Sequence, residues 1–277
     1  MNKLAKFFGR LILVCISWPL LSRAYGRLMR LRRPHFLVKG MIRRFQKHYH
    51  ISMGEFQGQP EEYDSLAAFF LRPLDLQKRP LLRNENSLLS PADGRLSELE
   101  LVAEDMATQV KGWSYPLSVL LGEAVDFSRG WYVATIYLSP SNYHRFHFPL
   151  SGRISGCFLG GTRLFPVNDF SVNRVDRLYL RNERAVTRFV LKEFTYYLVA
   201  VGATFVGSIG MKHLPAGLPQ LGEWRPLDLA AEQMAEMGHF AMGSTIILAL
   251  PAAMVENVVA EKGKPVKVGE PLFKIRS

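Results

Sequence analysis

From Ile51 onward the apolar positions come in short runs closed off by Gly, Pro, Asn and Ser, and the runs are rich in Val, Ile, Tyr and Phe. That pattern predicts strands at Arg95–Val102, Trp131–Leu138, Arg153–Leu159, Ala185–Leu191, Thr195–Ile209, Ser244–Leu250 and Pro271–Ile275. Helical spacing is sparse, with Glu61–Leu71 and Tyr115–Leu121 as the candidates. Strands do not alternate with long helices, which argues against a doubly wound sheet and for an α+β fold with a β-rich core over 51–277. Toward the C-terminus, Gly263 and Gly269 punctuate alternating Val and Leu positions from Val258 to Leu272. This rhythm suits the barrel-sandwich hairpins of lipoyl-like domains, without their Met-Lys-Met carrier turn; an ordinary hairpin explains it equally well.

The first fifty residues follow another pattern. Leu11–Ser22 is an uncharged run of 12 residues that contains Trp18 and is interrupted by Pro19. A spanning helix needs about 20 apolar residues, so this run cannot cross a bilayer unaided. Arg23, Arg27, Arg30, Arg32 and Arg33 follow, and then Leu37, Met41, Phe45 and Tyr49 recur every fourth residue, one face of a helix. Residues 1–50 hold 12 of the 35 Lys and Arg and none of the 24 acids, so the net charge of +11 belongs to this segment. Amphipathic helices with cationic faces lie in the headgroup layer of anionic membranes, and that is the expectation for 1–50. A signal peptide, a nucleic-acid arm and a basic helix pair docked on the body are the rivals. The dense arginines oppose export, and the Leu11–Leu21 stretch is too apolar for a nucleic-acid arm.

Composition narrows the chemistry. With 48% hydrophobic and 21% charged residues the chain is an ordinary globular one. Cys15 and Cys157 lie far apart with no CxxC spacing, which argues against a disulfide scaffold and a zinc-cysteine site. No phosphate-binding loop, dinucleotide fingerprint, HExxH or GxSxG motif occurs. His144 and His147 have a spacing that suits two ligands on a helix face, but no nearby carboxylate or cysteine completes a metal site, so none is expected. Ser90-Pro91-Ala92-Asp93-Gly94 reads as a turn entering a strand, and Gly243-Ser244-Thr245 as a bend at a strand entry. Singly, each is ordinary turn chemistry.

In order along the chain they are more specific. SPADG around Asp93, LSPSNYHRFHFP with His144 and His147, LFPVN at 164–168, NERAV at 182–186 and MGST at 242–245 resemble the phosphatidylserine decarboxylases, bacterial type. YDSLAAFFLRPL at 63–74 and KGWSYPLSVLLG at 111–122 fit the same pattern. Met242 departs from the Leu or Phe more usual before Gly-Ser-Thr, a conservative change. The resemblance implies a proenzyme that cuts itself between Gly243 and Ser244 into 1–243 and 244–277, which remain together as a heterodimer. Ser244 would be the nucleophile and become the pyruvoyl cofactor, with His147 as base and Asp93 orienting it. His144 would donate a proton or touch the substrate. The implied reaction converts phosphatidylserine to phosphatidylethanolamine and CO2 through a Schiff base, with no metal and no nucleic acid. The implied place is the cytoplasmic face of a bacterial inner membrane, with Trp18, Arg23, Arg27, Arg30, Arg32 and Arg33 at the lipid surface. A homo-oligomer stays open. The rival classes are a membrane-bound Ser-His-Asp lipid hydrolase, which would leave the chain whole, and a non-catalytic membrane adaptor.

Overall fold

The structure, a computed structural model, describes residues 26–110, 112–203, 209–214, 217, 219–240 and 244–276. In chain order the strands are β1 Ser87–Leu89, β2 Gly94–Val102, β3 Ala107–Val110, β4 Trp113–Tyr115, β5 Trp131–Leu138, β6 Arg145–His147, β7 Gly152–Gly160 and β8 Arg184–Leu191. They continue as β9 Phe194–Val201, β10 Ile209–Met211, β11 Trp224–Ala231, β12 Glu236–Phe240, β13 Ser244–Pro251, β14 Val255–Val258, β15 Pro265–Val266 and β16 Pro271–Ile275. The helices used below are α1 His35–His48, α2 Leu66–Phe70, α3 Leu117–Leu121, α4 Asp169–Val172 and α5 Leu178–Arg181.

Eight strands form one antiparallel sheet in the order β11-β7-β8-β9-β13-β5-β2-β15. Both faces are covered. On one side Ile247, Ala249, Val133 and Val199 pack with Val38, Ile42, Phe69, Phe70, Leu120 and Leu178 from the helices. On the other, Ile246, Leu248, Leu250, Ala134 and Leu198 pack with Leu88, Phe146, Phe240 and Phe273. The last four come from two small sheets, β1-β16-β14 and β10-β12-β6. A strand buried on both faces has no solvent side to make polar, which is why Ser244–Leu250 reads as a continuous apolar run. The β-rich α+β expectation therefore holds.

Several element boundaries differ from the pattern reading, each for a local reason. Thr195–Ile209 is not one strand: β9 ends at Val201, beyond which the Gly202 N–H makes one more bond along the β8–β9 ladder, to the Glu183 carbonyl at 2.8 Å. Ile209 starts the separate strand β10, and 204–208 lie outside the described residues. Glu61–Leu71 is a 3-10 turn at Pro60–Glu62 followed by α2. The break falls at Ser65, which is extended and accepts the Ala68 N–H on its Oγ at 3.2 Å, starting a new helix. Tyr115 belongs to β4; α3 starts after Pro116 and stops at Gly122, which takes φ 79°. In α1 the buried residues are Val38 and Ile42, with Met41, Phe45 and Tyr49 packed against the same core, whereas Leu37 is 43% exposed. The inward stripe is thus turned by about one residue from the four-residue series. Phe45 meets Phe69 and Phe70 edge-on at 6.4 and 6.1 Å, so α1 shares the helix-side core with the body.

Candidate active site

The site grows from the start of β13. Ser244 opens the strand opposite Leu138 of β5, and Thr245 sits between Tyr137 and Val201. Beyond Leu138, the first chain continues through 139–144 into β6, which pairs with β12. The Phe240 N–H donates to the His144 carbonyl at 2.9 Å. Residues 241–243 lie outside the described residues; on either side of them Ser244 pairs with Leu138 and Phe240 bonds to His144. Ser244 is fully buried and, among the described residues, its Oγ has no hydrogen-bond partner; nor has the Thr245 Oγ1 beside it. An unsatisfied buried hydroxyl costs about 1–3 kcal/mol and calls for an explanation.

His144 is fully buried beneath the Phe70 ring, whose centroid lies 3.9 Å away. Its Nδ1 lies 2.9 Å from the Asn142 carbonyl oxygen. A carbonyl only accepts, so Nδ1 carries the hydrogen and Nε2 holds the lone pair. That Nε2 has no partner. Burial drives the imidazole down to about 3, opposed by the Asn142 hydrogen bond and reinforced by the nearby Arg72 charge, so His144 is neutral.

His147 is buried as well, but both ring nitrogens are engaged. Nδ1 donates to the Met234 carbonyl at 2.8 Å, and Nε2 accepts from the Tyr143 hydroxyl at 2.9 Å. The Tyr143 ring stacks on it at 5.7 Å. Burial lowers its affinity for a proton, with the Met234 contact, Glu236 and Asp93 opposing. The His147 N–H donates to the Pro91 carbonyl at 2.8 Å, which ties β6 to the Ser90–Gly94 turn.

Asp93 is clamped elsewhere. Arg79 donates through both terminal nitrogens, Nη1 to Oδ2 at 2.9 Å and Nη2 to Oδ1 at 2.6 Å, and the Val268 N–H donates to Oδ1 at 2.8 Å. No hydrogen bond joins Asp93 to His147; the atom that orients the imidazole is the Met234 carbonyl oxygen. The structure thus brings Ser244, His144, His147 and Asp93 into one neighbourhood without linking them as a Ser-His-Asp chain. Sequence reasoning overlooked Arg72, Arg79, Tyr143 and Asn142 as individuals, although all but Arg79 lie in segments singled out as motifs. A cleft of about 410 Å³ reaches His147 and Tyr143 and is bordered by Leu76, Arg83, Arg145 and Glu236; Ser244, His144 and Asp93 do not line it.

Among the described residues no cluster of His, Cys, Asp and Glu is assembled to hold a metal, and no helix is long and apolar enough to cross a membrane. Of the residues expected at a lipid surface, Trp18 and Arg23 lie outside the described residues. Arg27, Arg30, Arg32 and Arg33 are all exposed, Arg32 pairing with Asp64 at 3.2 Å.

Comparison with known proteins agrees with this arrangement. A sequence model of the phosphatidylserine decarboxylase family matches residues 66–274. A phosphatidylserine decarboxylase proenzyme of Anaeromyxobacter sp. (strain K) is 38% identical over 264 residues, 91% of this chain and 93% of that protein. Proteins of the same name from Nitrosococcus oceani and Brevibacillus brevis are 37% and 36% identical, over 91% and 83% of this chain and 86% of each relative. With the motif segments gathered around Ser244 and relatives aligned over nearly its full length, the chain belongs to the phosphatidylserine decarboxylase family.

Proposed function

We propose that this chain is a proenzyme that cleaves itself between Gly243 and Ser244 and then decarboxylates phosphatidylserine to phosphatidylethanolamine and CO2. Beside family membership, the observation that carries the reading is the Ser244 hydroxyl: buried, unpartnered, and at the first residue of a fully buried strand. No described residue employs it, which fits a group kept for a covalent step.

In that step Ser244 Oγ attacks the carbonyl carbon of Gly243 and the amide becomes an ester. Loss of the Ser244 Cα proton and rupture of its Cβ–O bond release the 1–243 chain as a carboxylate. Water then displaces ammonia from the dehydrated residue, leaving a pyruvoyl group on 244–277. His147 is the base in this reading. To accept at Nε2 it needs the Tyr143 hydroxyl to turn aside or hand its own proton on, and the Asp93 charge favours the imidazolium that forms. The pyruvoyl group supplies a carbonyl that draws off the electron pair left when CO2 departs. His144, with a bare Nε2, would take the proton that the substrate ammonium gives up on joining the pyruvoyl carbonyl and return it to the substrate carbon once CO2 has left. The cleft bordered by Arg83 and Arg145 admits the headgroup, whose phosphate suits guanidinium donors. A hydrolase triad draws no support from Asp93, whose oxygens are committed to Arg79 and Val268.

Substrate that stays in a bilayer needs a site held at the surface. The exposed Arg27, Arg30 and Arg33, and α1 with Val38 and Ile42 inward and Lys39, Arg43, Arg44 and Lys47 outward, support peripheral attachment through 1–50 at the cytoplasmic face of a bacterial inner membrane. Left-handed turns at Gly263 and Gly269, with the β1-β16-β14 sheet, support the lipoyl-like reading of the C-terminal hairpins.

Denaturing intact mass spectrometry tests the proposal. The wild type is expected as two chains, 1–243 and 244–277, the smaller lighter by one ammonia than a chain with a free serine start. Ser244→Ala is expected as one full-length chain. A single wild-type chain from a preparation without decarboxylation refutes it.

A further inference from the structure

Arg72 is the largest fully buried side chain among the described residues, and it makes no ion pair there, the Asp93 charge reaching it only from farther off. Burying a guanidinium without an acid costs several kcal/mol unless its donors are well used. Here the two terminal nitrogens go to backbone carbonyls, Nη2 donating to Ser141 at 2.6 Å and to Asn142 at 3.1 Å and Nη1 to Phe69 at 3.4 Å, while Nε finds no partner among the described residues. The guanidinium also lies over the Phe56 ring, 4.3 Å from its centroid. Burial lowers it only to about 10, so it stays charged.

The Asn142 carbonyl is the telling contact, because it also accepts the His144 Nδ1–H at 2.9 Å. Asn142 itself is pinned, its Oδ1 accepting the Ser139 N–H at 2.8 Å and the Ser139 hydroxyl at 2.7 Å. Two residues before Arg72, Phe70 covers the His144 ring. One short segment of chain thus both packs the imidazole and grips the carbonyl that selects its tautomer. Of the charges nearby, Arg72 acts on His144 and opposes its protonation, while Arg145 is turned to Glu236 at 3.0 Å and to the Leu71 carbonyl.

We infer that Arg72 is a positioning residue for His144: by holding the Ser141 and Asn142 carbonyls, it fixes the imidazole as its Nδ1–H form with Nε2 bare. The inference rests on the proposed function for its catalytic meaning and on geometry alone for the histidine's state. A purely structural buried arginine would brace the 139–142 loop without setting a proton.

The test separates the two. In the full-length Ser244→Ala proenzyme, ¹⁵N-histidine spectra are expected to show His144 as the neutral Nδ1–H form from pH 8 down to pH 5. Adding Arg72→Met is expected to populate the second tautomer. Arg72→Lys keeps the charge but cannot span both carbonyls, so it should leave the tautomers mixed as well. In matured enzyme, Arg72→Met should slow decarboxylation per cleaved chain about a hundred-fold, the scale of a misplaced catalytic group. Arg72→Lys should slow it less, so it serves if the Met variant does not fold. A His144 spectrum unchanged by Arg72→Lys, or a Lys variant with wild-type rate, overturns the inference. The expected spectra from a wild-type protein that does not decarboxylate would sustain the inference and count against the proposed function.

Discussion

At the scale of single residues, the site is marked by atoms that the fold leaves unsatisfied. Among the described residues Ser244 Oγ and His144 Nε2 are buried without partners, the one at the strand end paired with Leu138 and the other on the segment that bonds Phe240. Keeping a neutral histidine in that place has a cost that pH reveals. His144 is held at about 3 in the folded protein against an ordinary value of 6.5. The unfolded chain therefore binds the extra proton as pH falls, so this contribution to stability is complete above pH 6.5 and shrinks below it. By pH 5 the loss amounts to about 2 kcal/mol. Chemical denaturation of the Ser244→Ala proenzyme, with and without His144→Phe, should show it: the drop in stability from pH 7 to pH 5 is expected to be smaller by that amount in the double variant. Equal drops would mean that His144 does not carry the effect. Burial also depresses His147, His213 and His239, so some slope should remain.

At the scale of elements, β13 decides how the two cleavage products behave. It lies between β5 and β9, five and more residues deep in each ladder, with its side chains filling both cores. The same C-terminal segment adds β16 to β1 and β15 to β2. Its Val268 N–H and its Gly269 N–H bind Asp93 and the Ser90 carbonyl, so residues 267–270 wrap the Ser90–Gly94 turn. Gly94 is required there: a Cβ would stand 2.5 Å from the Tyr137 carbonyl oxygen. Cutting one peptide bond before Ser244 removes none of these contacts. The fragments are expected to co-elute in native gel filtration and to part only in denaturant. A small fragment eluting alone under native conditions would contradict this placement of β13.

At the scale of the molecule, the large sheet separates a helical layer from a layer of small sheets, and the site sits where β5 and β13 leave the large sheet to become β6 and β12. The positive charge is gathered in the first fifty residues. Replacing Arg27, Arg30, Arg32 and Arg33 together by Ser should weaken binding to anionic vesicles, each residue contributing about 1 kcal/mol near such a surface. Self-cleavage should proceed unchanged. Vesicle sedimentation that does not respond would remove these arginines from the membrane contact.

Much of this was legible in the chain because it depends on neighbours in sequence. Alternation and turn residues located six of the eight strands of the large sheet and β16, but not β11 or most of the short strands; charge segregation set the N-terminal segment apart, and the ordered motifs pointed to Ser244, His147, Asp93 and His144. Local capping was a weak point, as the break at Ser65 shows. What only tertiary structure decided are the pairings between distant segments. Arg79 and Val268 take up Asp93, Met234 orients His147, and Arg72 shares the Asn142 carbonyl with His144. Residue type declares that a guanidinium must be satisfied or a carboxylate paired. Which partner does so depends on which strands the sheet brings side by side, and short-range pattern carries no record of that.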